Sequence, residues 1–218
     1  MIVVGVIVGV LALIGGLVWL SFYIEKKRTE AMRQASLRLG FAFSPKGDPA
    51  FQNEMAAFQL FNQGHTRVLK NLMRGSGSDA DIAIFDYRYT IGSGKNQHTR
   101  KQTVIRFRST GLDLPGFSLS PENIMHKIGS LFGYQDIDFE NFPDFSKRYL
   151  LRGQDETRIR MAFNDRVVRF FEQKHPVCTE GLGNQFIFYR SSREIKTENL
   201  NSFIAEGTEV LNTFRSGR

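Results

Sequence analysis

The chain has a single cysteine, Cys178, so an intramolecular disulfide is excluded. A lone cysteine in a folded chain is usually a small buried apolar side chain, and we expect that here rather than a reactive thiol. The sequence also lacks Cys-x-x-Cys and His-Glu-x-x-His patterns, and its four histidines show no ligand spacing. These absences argue against a zinc site, and we predict no metal and no cofactor.

Low-complexity segments and internal repeats are absent as well. Hydrophobic residues make up 41% of the 218 residues, and there are 20 phenylalanines against a single tryptophan. Such a composition is typical of folded rather than disordered chains. The residues that follow the first 24 are numerous enough to bury a substantial core as one domain.

Charge is missing from the first part of the chain. No charged side chain occurs from Ile2 to Ile24, and a helix of that length spans about 34 Å, enough to cross a hydrocarbon core of about 30 Å. Trp19 and Tyr23 lie one turn apart near the end of this segment, as aromatic anchors at a membrane interface do. We predict that residues 1–24 form a transmembrane helix in the lipid bilayer.

A cleaved signal peptide is the alternative, but it requires a basic N-terminal region, a shorter apolar core and a small-residue cleavage site. None of these is present. Lys26, Lys27 and Arg28 instead follow the apolar segment directly, as anchors at the lipid headgroups. By the positive-inside bias, they predict a single-pass protein with its N-terminus outside and its soluble domain in the cytoplasm.

Small residues recur along one side of the apolar segment. Gly5 and Gly9 form a Gly-x-x-x-Gly pattern, which Ala12 and Gly16 continue. Two such helices can approach closely, so the segment is a candidate for helix packing in a homodimer. Glycine is also frequent in membrane helices in general, which explains the pattern without a dimer.

The remaining sequence predicts a basic juxtamembrane helix over residues 25–40, which ends at Gly40, and a soluble α+β domain over residues 41–218. At the start of that domain we expect a loop over residues 41–49. A short helix over residues 51–58 is expected to follow.

An antiparallel β-meander is predicted over residues 66–108. Apolar and polar side chains alternate in Ile82–Ile91 and again in Thr99–Arg108, as in a hairpin whose sheet is buried on one face. Residues 65–74 fit either a helix or a strand, and the turn rich in glycine and serine that follows favours a strand.

Amphipathic helices are predicted from Ser120 to Gly133, from Glu156 to Gln173 and after Thr197. Between the last two, residues 177–180 and 185–190 predict a second hairpin. The expected fold class is therefore α+β: an N-terminal transmembrane helix followed by an antiparallel β-meander packed with amphipathic helices.

Two patterns invite a binding function. Residues 92–95 resemble part of a phosphate-binding loop, yet Tyr89 occupies the position of the first glycine and a strand follows, so a hairpin turn is the better interpretation. Asp136, Asp138 and Glu140 alternate in a way that could place three carboxylates together to bind a cation or a basic partner. They lack EF-hand spacing, and a solvated strand edge is the better interpretation.

Four polar side chains of the meander are candidates for catalysis, although no motif supports them: His65, His98, Asp86 and Lys95. Asp86 has a second explanation. With Arg88, it is expected to form cross-strand ion pairs with Arg106 and Arg108.

Basic side chains recur along the meander and would form a positive surface if they share a face. They are Arg67, Lys70, Arg74, Arg88, Lys95, Arg100, Lys101, Arg106 and Arg108. For a tethered domain, the nearest polyanion is a layer of anionic lipid headgroups. Nucleic acid is less favoured, because exposed aromatic side chains for base stacking are not evident.

Several segments resemble a family of uncharacterised bacterial membrane-anchored proteins. They are Leu60–His65, Asn71–Gly75, Phe85–Tyr89, Gln102–Val104 and Leu114–Leu119, and the resemblance covers about half of the soluble part. The resemblance implies a bacterial inner-membrane setting. It implies no catalytic residue, because the family has no assigned activity.

The leading hypothesis is a non-enzymatic, membrane-tethered module that binds a protein or anionic lipid headgroups in the cytoplasm. One alternative is a membrane-anchored enzyme that uses the polar side chains of the meander. Another is a structural anchor that self-associates through its transmembrane helix.

Overall fold

A computed structural model describes residues 2–77, 79–122 and 136–215, and within them eight strands form one antiparallel sheet with helices packed on it. This is the α+β fold that the alternating and amphipathic patterns predict. The strands are β1 (Ala42–Ser44), β2 (His65–Ser76), β3 (Asp81–Ile91), β4 (His98–Arg108), β5 (Leu114–Pro121), β6 (Tyr149–Gly153), β7 (Cys178–Gly183) and β8 (Gln185–Tyr189). Their order across the sheet is β1-β2-β3-β4-β8-β7-β5-β6.

Six helices of the described residues surround this sheet. They are α1 (Ile2–Leu39), α2 (Pro49–Met55), α3 (Pro143–Arg148), α4 (Glu156–Ala162), α5 (Asp165–Gln173) and α6 (Leu200–Arg215). Short 3₁₀ segments lie at Gln59–Asn62, Gly94–Asn96 and Thr197–Asn199.

α1 is one continuous helix that ends where Gly40 adopts a φ of 68°. A left-handed residue after the last turn is a common helix stop, and glycine adopts it without steric cost. The predicted stop at Gly40 is therefore confirmed, and the basic segment that follows residue 24 continues the preceding helix without a break, as expected of a helix that extends the apolar segment. Among the described residues, no helix combines the length and the apolarity required to cross a membrane.

The predicted pairing of the meander is confirmed. β3 pairs with β4 over its whole length, from Asp81 opposite Arg108 to Ile91 opposite His98. The ambiguous segment 65–74 is part of β2, which lies on the other side of β3. The hairpin of β7 and β8 is present as well.

The expectation that one face of the sheet meets solvent is wrong, because both faces carry a hydrophobic core. On one face, Ile84 and Ile105 pack in a cluster that includes Met32 of α1 and residues of α3 to α6. On the other face, Phe85 and Val104 pack with α2 and with the 3₁₀ segment Gln59–Asn62. The charged side chains of the meander favoured a solvent-exposed face. That interpretation failed because strand periodicity does not show which faces are covered by distant elements.

The helix predicted over residues 156–173 is in fact two helices, α4 and α5. The side chain of Asn164 accepts hydrogen bonds from the backbone N–H groups of Arg166 and Val167 and so begins α5. Asparagine competes for backbone hydrogen bonds, which suits it to a helix start better than to a helix interior.

Three strands, β1, β5 and β6, are not predicted by the sequence. β1 lies inside the expected loop 41–49, and β5 ends with Ser120 and Pro121, which were expected to open a helix. Residues 123–133 of that predicted helix lie outside the described residues. In β5, a register irregularity between Leu114 and Phe117 interrupts the alternation that would reveal the strand.

The segment Asp136–Glu140 is not a strand, but it forms hydrogen bonds with the edge of β6. Ile137 donates its backbone N–H to the carbonyl of Leu151 at 2.8 Å, and Leu151 donates its own N–H to the Asp136 carboxylate at 2.9 Å. These bonds satisfy part of the outer edge of β6, the last strand of the sheet. Burial raises the pKa of Asp136.

Candidate functional site

The junction between α1 and the sheet contains a buried ion pair. Arg28 of α1 donates from Nε to Oδ2 of Asp86 at 3.0 Å and from Nη2 to Oδ1 at 2.9 Å. The side chain of Asp86 is 2% exposed and that of Arg28 is 16% exposed. A two-point contact of this kind fixes both the position and the orientation of the helix on β3.

Further hydrogen bonds hold both members of this pair. Asn71 and Thr103 each donate to the Asp86 carboxylate at 2.9 Å. Arg28 donates from Nη1 to the carbonyl of Ile195 at 2.7 Å, and the Ile195 N–H donates to the Thr103 hydroxyl at 2.9 Å. A buried charge pair is tolerated when its other donors and acceptors are satisfied in this way.

One turn before Arg28, a second contact holds α1 to the sheet. A carboxylate oxygen of Glu25 accepts hydrogen bonds from Lys70 of β2 and from Arg88 of β3. The hydrogen bond from the Lys70 ammonium lowers the pKa of the Glu25 carboxyl. Further along α1, Met32 and Ala35 are buried in the core.

In the opposite direction, α1 leaves the domain with apolar side chains exposed around it. Every residue from Leu11 to Ile24 is exposed, and Leu13, Trp19 and Phe22 are 66%, 67% and 69% exposed. The rings of Trp19 and Tyr23 stack with their centroids 5.7 Å apart. A continuous apolar surface of this size on a protein marks a site that another apolar phase or molecule covers.

Exposed lysines lie where this apolar stretch meets the sheet. Lys26 and Lys27 follow it on α1, Lys95 is at the turn between β3 and β4, and Lys101 is near the start of β4. Across the described residues, no carboxylate forms an ion pair with any of these four lysines. Arg28, predicted as a headgroup anchor beside them, is instead used inside the protein.

The four catalytic candidates do not converge. His65 and His98 are exposed at the hairpin end, where Nε2 of His65 lies 3.2 Å from the carbonyl oxygen of Gly92 and His98 pairs with Ile91. Asp86 lies beneath Arg28, roughly 13 Å along β3 from the residue that pairs with His65. Lys95, the fourth candidate, is exposed at the turn.

The cross-strand ion pairs expected for Asp86 and Arg88 are not formed. The register places Asp86 opposite Thr103, whereas Arg106 is opposite Ala83 and therefore on the other face of the sheet. Arg106 lies near Glu54 on that face, at 3.8 Å. The basic side chains of the meander are thus divided between two faces and do not form one positive surface.

The small residues of α1 are open where the structure describes their surroundings. A Cβ added at Gly9 or at Gly16 would meet no atom within 4 Å, and Ala12 is exposed. The side-chain environment of Gly5 lies outside the described part. The helix-packing role of these residues stays a prediction.

Glu180 is a buried carboxyl that the sequence patterns do not single out. It is 3% exposed and accepts hydrogen bonds from the backbone N–H groups of Gln59 at 2.6 Å and Leu60 at 3.0 Å. Burial raises the pKa of Glu180 to about 7, against the opposing effect of those hydrogen bonds. The only sequence feature that could have identified Glu180 is the presence of a carboxylic acid within a predicted strand.

Glu180 also contributes to the wall of a cleft of about 410 Å³, which Phe58, Asn62, Gly116 and Leu182 help to line. Both of its oxygens are already bonded to the 3₁₀ segment, so its evident role is to hold that segment on β7. Cys178, two residues away, is buried, and burial raises its thiol pKa to about 12. The expectation of a buried cysteine is confirmed, and burial is typical of cysteines with a structural role.

The chain was compared with known proteins by family, by sequence and by structure. No family model matches it, and no curated protein matches it in sequence. Among solved structures, the crystal structure of the mycobacterial trehalose monomycolate transport factor A, TtfA, is similar with a TM-score of 0.57. The two chains are 10% identical, and the match covers 87% of this chain and 93% of that one. At this identity the similarity shows a shared fold and no more.

Proposed function

We propose that the protein is a single-pass membrane protein whose α+β domain is held beside the bilayer by α1 and serves there as an interaction module. The main support for this proposal is the contrast between two parts of α1. Residues Leu11–Ile24 are exposed and mostly apolar, whereas Arg28, a few residues later, is fixed to the sheet by a buried ion pair.

Lipid is the occupant that fits the exposed part of α1. The exposed stretch Leu11–Ile24 is roughly 21 Å long, and the uncharged sequence before it extends the apolar segment to about the thickness of a bilayer core. Apolar side chains lie on all sides of the helix, so contact with one protein surface would leave part of them in water.

The setting proposed for the domain is the cytoplasmic face of a bacterial inner membrane, with the N-terminus outside. It is supported by Lys26 and Lys27, which follow the apolar segment, and by the family resemblance of the sequence. The protein that shares the fold is named as a transport factor for trehalose monomycolate.

The proposal is tested by the distribution of the full chain between membranes and supernatant. We expect it to float with lipid vesicles and to resist alkaline extraction until detergent is added. Leu13→Lys combined with Leu17→Lys should move it to the supernatant, because each lysine costs about 3 kcal/mol near the bilayer centre. Both positions are exposed, so the fold of the domain should be unaffected.

The matched control is Leu37→Lys, at a position of α1 that is 68% exposed and lies beside the domain. This variant adds charge to the same helix and should remain in the membrane. Wild-type protein that stays in the supernatant, full-length and without detergent, would contradict the proposal.

Self-association through α1 remains the second candidate, because an added side chain at Gly9 or Gly16 meets no atom of the described monomer. Gly9→Leu combined with Gly16→Leu should therefore leave the monomer folded. If close helix packing forms a dimer, this change should reduce crosslinking in membranes. Unchanged crosslinking would remove the dimer hypothesis.

A further inference from the structure

We propose that the β3–β4 hairpin end of the sheet, together with Lys26 and Lys27 of α1, is a surface that lies on anionic lipid headgroups. This inference rests on the proposed insertion of α1 into a bilayer. We call this surface the basic end and define it by Lys26, Lys27, Lys95, Arg100 and Lys101.

The contacts of α1 determine which end of the sheet faces the bilayer. Glu25 meets Arg88, and Arg28 meets Asp86. Along these contacts, α1 and β3 therefore run in opposite directions. The β3–β4 hairpin lies on the side of the domain from which Leu11–Ile24 projects, and insertion of α1 brings the hairpin towards the headgroups.

The side chains of the basic end are available for an external anion. Lys95 and Lys101 are exposed and, within the described residues, neither is in an ion pair, although Lys101 lies close enough to Glu25 to interact with its charge. Arg100 is half-buried and donates to the hydroxyl of Ser192 at 2.7 Å, which holds it at this end without neutralising it.

The acids near this end are fewer than its basic side chains. Glu25 is bonded to Lys70 and Arg88 and also lies close enough to Lys101 to interact with its charge. Asp86 is bonded to Arg28, and the exposed Glu194 and Glu198 lie near the same guanidinium. Basic side chains therefore remain in excess around the hairpin.

At the opposite end of the same strands, the arginines of the strands are matched by acids. Each arginine there has an acid close by: Arg74 has Asp48 at 2.6 Å, Arg106 has Glu54 at 3.8 Å and Arg108 has Asp81 at 3.1 Å. Along these strands, the arginines of the far end are thus matched by acids, whereas Lys95 and Lys101 of the hairpin end form no ion pair within the described residues. Lipid phosphates are the polyanion that this placement complements, because attraction to an anionic leaflet falls off within a Debye length.

The shape of the hairpin suits contact with headgroups rather than insertion. Gly92 has a φ of 82°, and a Cβ there would lie 2.2 Å from the carbonyl oxygen of Asn96, so the turn requires glycine. Residues 92–97 are all exposed, and their side chains are small, polar or, at Lys95, positively charged. They offer charge and hydrogen bonds but no large apolar side chain to bury in lipid.

The experiment uses the full chain reconstituted in nanodiscs of phosphatidylcholine, alone or with a third of phosphatidylglycerol. Ser93→Cys at the exposed turn carries an environment-sensitive dye, and the buried Cys178 does not compete for the label. We expect the dye emission to shift to the blue only with phosphatidylglycerol, and the shift to decrease as salt is raised.

Lys95→Gln combined with Lys101→Gln should weaken the hairpin contact roughly tenfold or more, because each lysine near an anionic surface strengthens binding about fivefold. The matched control, Arg108→Gln combined with Arg158→Gln, removes the same formal charge from exposed side chains outside the basic end and should retain the shift.

Two results would overturn the inference while leaving membrane insertion intact. One is equal incorporation into both kinds of nanodisc with the same dye emission, and the other is an equal loss of the shift in the two double variants. Failure to incorporate into either nanodisc would instead overturn the proposed function, and this inference with it.

Discussion

At the scale of single residues, Asp86 shows what neighbouring sequence cannot reveal. Its position in an alternating strand suggested a solvent-facing ion pair with other strands. Its actual partner is Arg28, 58 residues earlier, and its side chain is 2% exposed. Strand period determines which face a residue occupies, but not whether a distant helix covers that face.

We predict that Asp86→Asn lowers the free energy of unfolding by about 3–5 kcal/mol, because it leaves the Arg28 guanidinium partly buried without its counter-charge. Chemical denaturation of the detergent-solubilised chain, followed by circular dichroism, measures the change. Asp81→Asn, which breaks an exposed pair with Arg108, serves as the control and should leave the transition midpoint near that of the wild type.

Glu180 should make stability depend on pH. Burial raises its pKa from 4.5 to about 7 in the folded protein, so the folded state holds this proton more tightly than the unfolded state does. The contribution is fully present below pH 4.5 and is lost as the pH rises through 7, with a slope of at most about 1.4 kcal/mol per pH unit. Glu180→Gln should remove this slope from the denaturation midpoints. A slope that persists in the variant would assign the effect to another group.

At the scale of elements, segments with a clear period or a marked hairpin turn were predictable, and segments with neither were not. β3, β4 and α6 have enough alternating or amphipathic residues to be recognised. β1 has three residues and β6 has five, and neither follows a marked hairpin turn such as the one that revealed the equally short β8. The division between α4 and α5 was missed because apolar residues continue with helical spacing across Asn164.

The end of α1 is held by a close approach that the sequence did not reveal. A Cβ added at Gly75 of β2 would lie 2.1 Å from the ring of Phe41, which directly follows the helix stop. We expect Gly75→Ala to destabilise the fold by about 1–3 kcal/mol, since the ring would have to move. Gly111→Ala is a suitable control, because its added Cβ has its nearest neighbour at 3.8 Å. Equal stability of the two variants would show that Phe41 is free to move.

At the scale of the whole molecule, the sequence predicted the fold class and the apolar segment. It did not predict how the two are joined. Lys26, Lys27 and Arg28 form one basic run in the sequence, yet Arg28 is bound inside the protein while the two lysines are exposed. The basic run after the apolar segment therefore has two parts. Arg28 attaches the helix to the domain, and Lys26 and Lys27 remain exposed to the surroundings.

This arrangement leaves little freedom between helix and domain. α1 is continuous from its exposed part to its buried part, and Glu25 and Arg28 both contact the sheet. A helix inserted in a bilayer would consequently set the height and the angle of the domain. The proposed interaction module depends on this fixed position of the domain beside the bilayer.

Trp19 provides the most direct measurement, because it is the only tryptophan of the chain and lies in the exposed stretch of α1. The full chain in vesicles should show a blue-shifted tryptophan emission that is quenched by lipids brominated along the acyl chain, most strongly at the positions closest to the headgroup. Emission at the wavelength of a water-exposed tryptophan, with no quenching by any brominated lipid, would contradict insertion of α1.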